Sequence, residues 1–334
     1  MTEKRIITVV GATGSQGGGL VRAILADPDH EFAVRALTRN ARSGKAQELA
    51  AAGAEVVEAD LNDEASLIRA FERAHGAFIV TNYWVDRTPE EEARETRAEM
   101  ELQQAEAAVW ATKAAGVAHV VWSTLEDTRP HFGDDDRVPT VDGLYKVPHF
   151  DAKGEADELF TKYGVPTTFL RTAFFFEGFA SGLGPVRDAS GKLVLTLPMA
   201  DQPLSGIAVE DIGKTALGIF KAGDQYIGKT VGIAGEFLTI DQMGQSLSKN
   251  LGLGAVKYNA VEPDVYRSWG FPGADEMGNM FQADRDFEKQ MMANRNLDEA
   301  RKLNPALQTF DQFVNKNKDK ILAAANPAPA GTTA

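Results

Sequence analysis

The chain has 334 residues, 43% hydrophobic and 25% charged, with a formal net charge of −13 and no cysteine. This describes an ordinary folded protein with room for a full α/β core and a second lobe, not a disordered scaffold. The acidic balance disfavours direct binding to nucleic acid or to anionic membrane surfaces, and without cysteine there are no disulfides, thiol switches or cysteine nucleophiles. MTEKR enters an apolar strand at once, with no signal-peptide pattern, and no stretch approaches the ~18 apolar residues of a spanning helix, so a cytoplasmic protein is expected. The histidines, at positions 30, 75, 119, 131 and 149, show no ligand spacing and predict no metal site.

The first predicted elements are the most informative. In RIITVVGATGSQGGG, Arg5 to Gly19, the β-branched run Ile6, Ile7, Val9 and Val10 reads as a strand covered on both faces. Gly11, Gly14 and Gly17 follow at three-residue spacing and open a helix. Gly11 permits a tight turn, Gly14 lets backbone N–H groups approach a diphosphate, and Gly17 brings the helix close to the sheet, with the helix N-terminus facing the anion. A second strand, Ala33 to Leu37, ends in Thr38-Arg39-Asn40, where a carboxylate for the ribose 2′-hydroxyl would indicate NAD(H). Arg39 instead offers a charged fork suited to a 2′-phosphate, so NADP(H) is expected in preference to NAD(H). A third strand, Glu55 to Ala59, leads to Asp60-Leu61, expected beside the adenine, although Asp60 equally suits the cap region of a helix beginning near Asp63. A fourth, Phe78 to Thr81, ends in Thr81-Asn82-Tyr83 on the ribose and diphosphate side.

One long helix is expected from Pro89 to Ala115, its glutamates mostly solvated. Val117 to Trp122 is a fifth strand, Pro148 to Tyr163 a helix closed by Gly164, and Val165 to Arg171 a sixth strand. The alternation predicts a doubly wound parallel-sheet Rossmann fold, class α/β, with a second, smaller α+β lobe. Phe174, Phe175 and Phe176 follow the sixth strand at the edge where ligands sit; at least one is expected to line a pocket and the others to pack in a core. The Gly- and Pro-rich stretch from Gly182 to Pro203 reads as a hairpin excursion. The dinucleotide-binding domain is assigned to residues 1–180 and about 205–238, and a smaller substrate or partner lobe to about 181–204 and 239–321. Residues 322–334, AAANPAPAGTTA after Leu322, are expected to form a disordered tail.

Chemistry concentrates after the fifth strand. Ser123 and Thr124 end that strand, and the following helix carries His149 and Lys153, four residues apart and so on one face. Lys153 is placed to bond the nicotinamide ribose and His149 to act as an acid, since histidine titrates near neutrality; a histidine just inside a helix also commonly bonds a nearby carbonyl. Tyr145 precedes Pro148, lies off the helix and does not share that face.

GATGSQGG at Gly11 to Gly18, LTRN at Leu37 to Asn40, HFDAKGEADELF at His149 to Phe160, GFPGADEMGNMF at Gly270 to Phe281 and LNPALQTFDQF at Leu303 to Phe313 together resemble the NmrA-like family. These are atypical short-chain dehydrogenases/reductases, and the second-lobe segment looks most like their HSCARG-type NADPH-sensor branch. The superfamily's usual Tyr-x-x-x-Lys reads His149-x-x-x-Lys153 here. The resemblance implies cofactor contacts from Gly11, Thr13, Gly14, Ser15, Gln16, Arg39, Asp60, Leu61, Thr81, Asn82, Lys153 and the Phe174 to Phe176 segment. It also implies a homodimer in some ligation states, and a redox sensor that reports the NADPH/NADP ratio to a protein partner. Other relatives that keep only the lysine are reductases of aromatic, quinone or carbonyl substrates, the alternative expectation here. A DNA-binding repressor fits neither the charge nor any helix-turn-helix pattern.

Overall fold

Strands rich in Val, Ile and Phe alternate with amphipathic helices through the first half of the chain, which is the pattern of strands buried on both faces. The computed structural model describes residues 4–325. In chain order it forms β1 (Arg5–Val9), α1 (Ser15–Leu25), β2 (Phe32–Thr38), α2 (Gly44–Ala51), β3 (Glu55–Glu58), α3 (Glu64–Phe71), β4 (Gly76–Ile79), α4 (Pro89–Arg94) and α5 (Arg97–Ala114). Then come β5 (His119–Thr124), a short α6 (Arg129–Phe132), α7 (Pro148–Lys162) and β6 (Thr167–Arg171). The chain continues through β7 (Phe174–Phe175), β8 (Val186–Arg187), β9 (Leu193–Leu197) and β10 (Pro203–Ile207), then α8 (Val209–Lys221), β11 (Thr230–Gly232) and β12 (Glu236–Thr239). It ends with α9 (Ile240–Leu251), β13 (Val256–Ala260), α10 (Pro263–Arg267), α11 (Ala274–Asp286), α12 (Glu288–Ala293), α13 (Leu297–Leu303), α14 (Phe310–Lys316) and α15 (Lys318–Ala325).

Seven strands make one sheet in the order β11-β6-β5-β4-β1-β2-β3, every neighbouring pair parallel. The strand order reverses between β1 and β4, so the sheet is doubly wound and Rossmann-like, and the crevice at the carboxyl ends of β1 and β4 is where such sheets take ligands. Two compact units are present. One comprises the chain up to Thr172 with Val209–Ile233 and Asp298–Pro305; the other comprises Ala173–Ala208, Ala234–Leu297 and the residues from Ala306. In the first, Phe71, Phe78, Trp122 and Phe160 are fully buried, Trp122 stacking on Phe160 with ring centres 5.1 Å apart. The second holds two three-stranded sheets, β12-β10-β7 and β13-β9-β8, and a core of aromatic rings in which Phe176 meets Phe310 and Phe313. No helix among the described residues is long and apolar enough to cross a membrane.

Two local outcomes differ from expectation. The single helix expected from Pro89 to Ala115 is two helices, because Glu95 turns extended and Thr96 opens α5 with its own capping box, the Thr96 side chain accepting from the Glu99 amide while Glu99 accepts from the Thr96 amide. The helix α15 runs to Ala325, so residues 322–325, expected in a tail, are helical, and the rest of that stretch lies outside the described residues.

Behind β5, the Trp122 indole donates to Asp157 Oδ1 at 2.9 Å. Burial pushes this carboxyl up to about 7, against the opposing hydrogen bonds of Thr124 and Trp122. An acid whose folded pKa is raised binds its proton more tightly in the native state, so its stabilisation is complete below the usual range near ~4 and is lost as pH rises through about 7. Asp157→Asn, which cannot ionise, should therefore gain thermal stability relative to the parent between about pH 5 and about pH 8. Parallel melting curves for the two proteins across that range would show that no buried charge develops there.

Candidate functional site

At the carboxyl end of β1 the backbone reverses through Gly11, whose φ of +65° is costly for a residue with a Cβ, and the Gly14 amide donates to Gly11 O at 2.9 Å. Gly14 is the N-cap of α1, with no side-chain cap and no acidic residue in the first turn. The leading amides of α1 therefore face outward with the positive end of the helix dipole behind them. Gly17 is a close approach: a Cβ there would lie 2.5 Å from Gly11 O and 2.7 Å from Val10 O. Thr13 is half-buried, whereas Gly14 and Ser15 are exposed and leave the turn accessible. Gln16 ties the turn to the end of β5, its Oε1 accepting from Ser123 Oγ at 2.7 Å.

Along β2 and β3 the turns are polar and preorganised. Arg39 is exposed and has no hydrogen-bond or ion-pair partner among the described residues. Asn40 Oδ1 accepts from the Arg42 amide at 2.9 Å, shaping the loop that presents Arg39, and Ser43 caps α2. At the end of β3 the capping falls to Asp63, which accepts from the Ser66 amide, while Asp60 accepts from the Asn62 amide at 2.8 Å in the turn before it. Leu61 packs against the apolar cluster that includes Leu67 and Phe71.

At the ends of β4 and β5 the structure builds a buried charged centre. Lys153 Nζ lies 2.7 Å from Glu101 Oε1, 2.5 Å from Thr81 Oγ1 and 3.3 Å from Thr81 O. Glu101 is an exception to the solvated glutamates expected between Pro89 and Ala115, being only 1% exposed. The signal that finds it is spacing: Ala98, Glu101, Ala105, Ala108 and Thr112 recur at three- and four-residue intervals and form the buried stripe of α5. Thr124 Oγ1 donates to Lys153 O at 3.2 Å, fixing α7 against the end of β5. His149 shares the face of Lys153 and is buried among the rings of Tyr83, Trp84 and Phe150, with centres 5.8, 5.3 and 4.8 Å away. Asn82 is exposed, and its Oδ1 accepts from the Trp84 amide at 3.2 Å.

The start of α7 is anchored by Asp151, which is fully buried. Its Oδ1 accepts from the amide and hydroxyl of Thr128, each at 2.7 Å, and its Oδ2 from the amides of Lys146 and Val147, each at 2.9 Å. Burial raises its pKa, and the hydrogen bonds from Thr128 and Val147 oppose the rise. Tyr145 lies off the helix and donates to Glu155 Oε2 at 3.1 Å; burial first, then Glu155, pushes its hydroxyl up to about 12. The phenylalanine segment belongs to the second unit. There Phe174 and Phe175 are half-buried in β7 beside Gly206 and Ile207 of β10, and Phe176 is fully buried.

A parallel sheet with its switch between β1 and β4 and a glycine turn opening α1 defines a Rossmann-fold α/β protein. The model of the NmrA-like family matches residues 3–314, and the chain belongs to that family. The NmrA-like family domain-containing oxidoreductase malD of Malbranchea aurantiaca is 32% identical over 257 residues, spanning 75% of this chain and 74% of that protein. The corresponding oxidoreductase cpsB of Aspergillus campestris is 28% identical over 284 residues, spanning 83% and 82%. Among solved structures, NmrA, a negative transcriptional regulator, in complex with NADP matches with a TM-score of 0.73 at 24% identity, covering 98% of this chain and 99% of that one. The Citrobacter triphenylmethane reductase matches with a TM-score of 0.70 at 20% identity, covering 94% and 99%. At such identities these structures speak to the fold alone.

The Gly17 approach sets a direct test. Gly17→Ala places a methyl against two backbone carbonyls that no side-chain rotation can relieve, and should destabilise the protein by about 1–3 kcal/mol in urea unfolding. Unchanged stability would mean that the turn is loose.

Proposed function

We propose that this protein binds NADP(H) in preference to NAD(H) and works as an NADPH-dependent reductase of a small aromatic, quinone or carbonyl substrate. The carrying observation is the pairing of an α1 N-terminus that has no side-chain cap with an exposed Arg39 at the end of β2 that has no partner among the described residues. The first suits a diphosphate and the second a 2′-phosphate, with no carboxylate at residues 38–40 to bond a free 2′-hydroxyl. NmrA has been solved with NADP and with NAD, triphenylmethane reductase with NADP(H), and an Escherichia coli quinone oxidoreductase with NADPH. The 32% identity to a protein named an oxidoreductase, over about three-quarters of both chains, supports turnover.

When bound, the reduced dinucleotide supplies a hydride to an electrophilic carbon. The amides of Gly14 to Gly17 would hold its diphosphate, Arg39 its 2′-phosphate, and Asp60 and Leu61 would lie beside the adenine. Thr81, Asn82 and Lys153 would bound the nicotinamide ribose. Ser123, through its bond to Gln16, keeps the glycine turn registered with the end of β5. His149, or a water that it holds, would deliver the proton to the substrate oxygen.

A second reading is a redox sensor or regulator that binds the dinucleotide without turnover, signalling to a protein partner or through a homodimer. It is favoured by the packing of His149, at the superfamily's tyrosine position, among three aromatic rings. Such a sensor works only if its two conformations bind the dinucleotide unequally.

Calorimetric titration should show NADPH binding tighter than NADH, and Arg39→Ala should remove about 10- to 100-fold of NADPH affinity, the scale of a charge-assisted hydrogen-bond pair. Equal native affinities for the two coenzymes would dispose of the 2′-phosphate assignment. Loss of NADPH absorbance with a panel of quinones, carbonyls and imines should reveal turnover that Lys153→Ala lowers by about 10²-fold or more. Tight NADPH binding without turnover, together with NADPH-dependent dimer or partner affinity, would select the sensor instead.

A further inference from the structure

One ammonium group at Lys153 serves three acceptors, namely Glu101 Oε1, Thr81 Oγ1 and Thr81 O, at 2.7, 2.5 and 3.3 Å. A lysine ammonium has three N–H donors and no acceptor, so all its hydrogen-bonding capacity is spent within the protein. The Trp122 ring centre lies 5.5 Å from the same nitrogen and adds an apolar wall carrying a favourable quadrupole. Glu101 is held less completely. Its Oε2 is buried with no hydrogen-bond partner among the described residues, so the carboxylate is compensated through one oxygen.

Such a pair is a poor device for stability. Removing two charges from water costs more than their attraction returns unless every lone pair is satisfied, and well-packed apolar residues often serve the fold as well or better. The buried stripe of α5 already uses Ala98, Ala105 and Ala108 around this position. A glutamate retained among alanines, with one oxygen unsatisfied, therefore requires another account.

We infer that Glu101 is a positioning residue for Lys153. With the Thr81 hydroxyl it forms a two-point mount: two short contacts fix two of the tetrahedrally arranged N–H bonds and thereby aim the third. That third donor makes the longest contact, to Thr81 O, and with its direction held it is the one that a ribose hydroxyl of the nicotinamide half would come to share. Glu101 also cancels the lysine charge, so the centre presents a hydrogen-bond donor without net attraction for anions. It suits a neutral diol at the ends of β4 and β5, while the anion-receptive elements, the α1 N-terminus and Arg39, serve the phosphates. The inference rests on the dinucleotide reading above.

The test compares two ligands. NADPH contains both halves of the dinucleotide, whereas adenosine 2′,5′-bisphosphate lacks the nicotinamide mononucleotide half, its ribose and its phosphate. In calorimetry, Glu101→Gln should weaken NADPH by about tenfold or more, the loss expected of a misaimed charge-assisted donor, and leave the bisphosphate within about twofold. Glu101→Asp keeps the charge but shortens its reach, and should fall between the parent and Glu101→Gln. It also supplies the comparison should Glu101→Gln fail to fold. Unchanged NADPH affinity in a folded variant would overturn the inference, as would equal losses for the two ligands, which would mark general damage to the unit. A native protein that binds neither ligand would instead strike the cofactor reading.

Discussion

Backbone amides can meet an anion at the start of α1 only because the chain from Val10 to Gly17 folds back more tightly than side chains allow. The left-handed Gly11 makes the reversal, and the absent Cβ at Gly17 lets the first helical turn rest on the carbonyls of Val10 and Gly11. Once that turn is set, the direction of α1 follows, and with it the positive end of the helix at the sheet's switch point. The bond between Ser123 and Gln16 carries the constraint across to β5, so two non-consecutive strands agree on where a ligand would lie.

The polar groups inside the first unit divide by environment. Arg39 is exposed and has no partner among the described residues, so it can meet a ligand charge without first breaking a bond to them. Lys153, Glu101 and Asp151 are buried and committed to internal partners. The exposed group can supply discrimination between charged ligands, while the buried ones supply fixed geometry. Both are needed if a dinucleotide is to be held at each end.

Much of this was legible because it is local. The β-branched run, the glycine spacing and the absence of a carboxylate after β2 are properties of contiguous residues, and the alternation of strands with helices indicates a parallel sheet. Glu101 was not legible as a buried group, since its burial depends on Lys153 from a helix 52 residues away, and a charge within an acidic segment looks solvated. The break between α4 and α5 was written in the sequence as two Thr-x-x-Glu boxes, at Thr88 and Thr96, but the glutamate-rich composition masked them. Phe174 and Phe175 pair with β10 and sit half-buried, whereas Phe176 packs on Phe310 and Phe313 and is fully buried, contacts with residues more than 130 positions away that no contiguous pattern shows.

The four hydrogen bonds accepted by Asp151 have a dynamic corollary. They tie Thr128, Lys146 and Val147 to one side chain in the first turn of α7, so these segments cannot loosen one at a time without stranding a carboxylate in a dry interior. The loop after β5, the approach to α7 and the start of the helix bearing His149 and Lys153 are thereby coupled, and cooperative opening of the three would give their amides a common opening free energy in deuterium exchange.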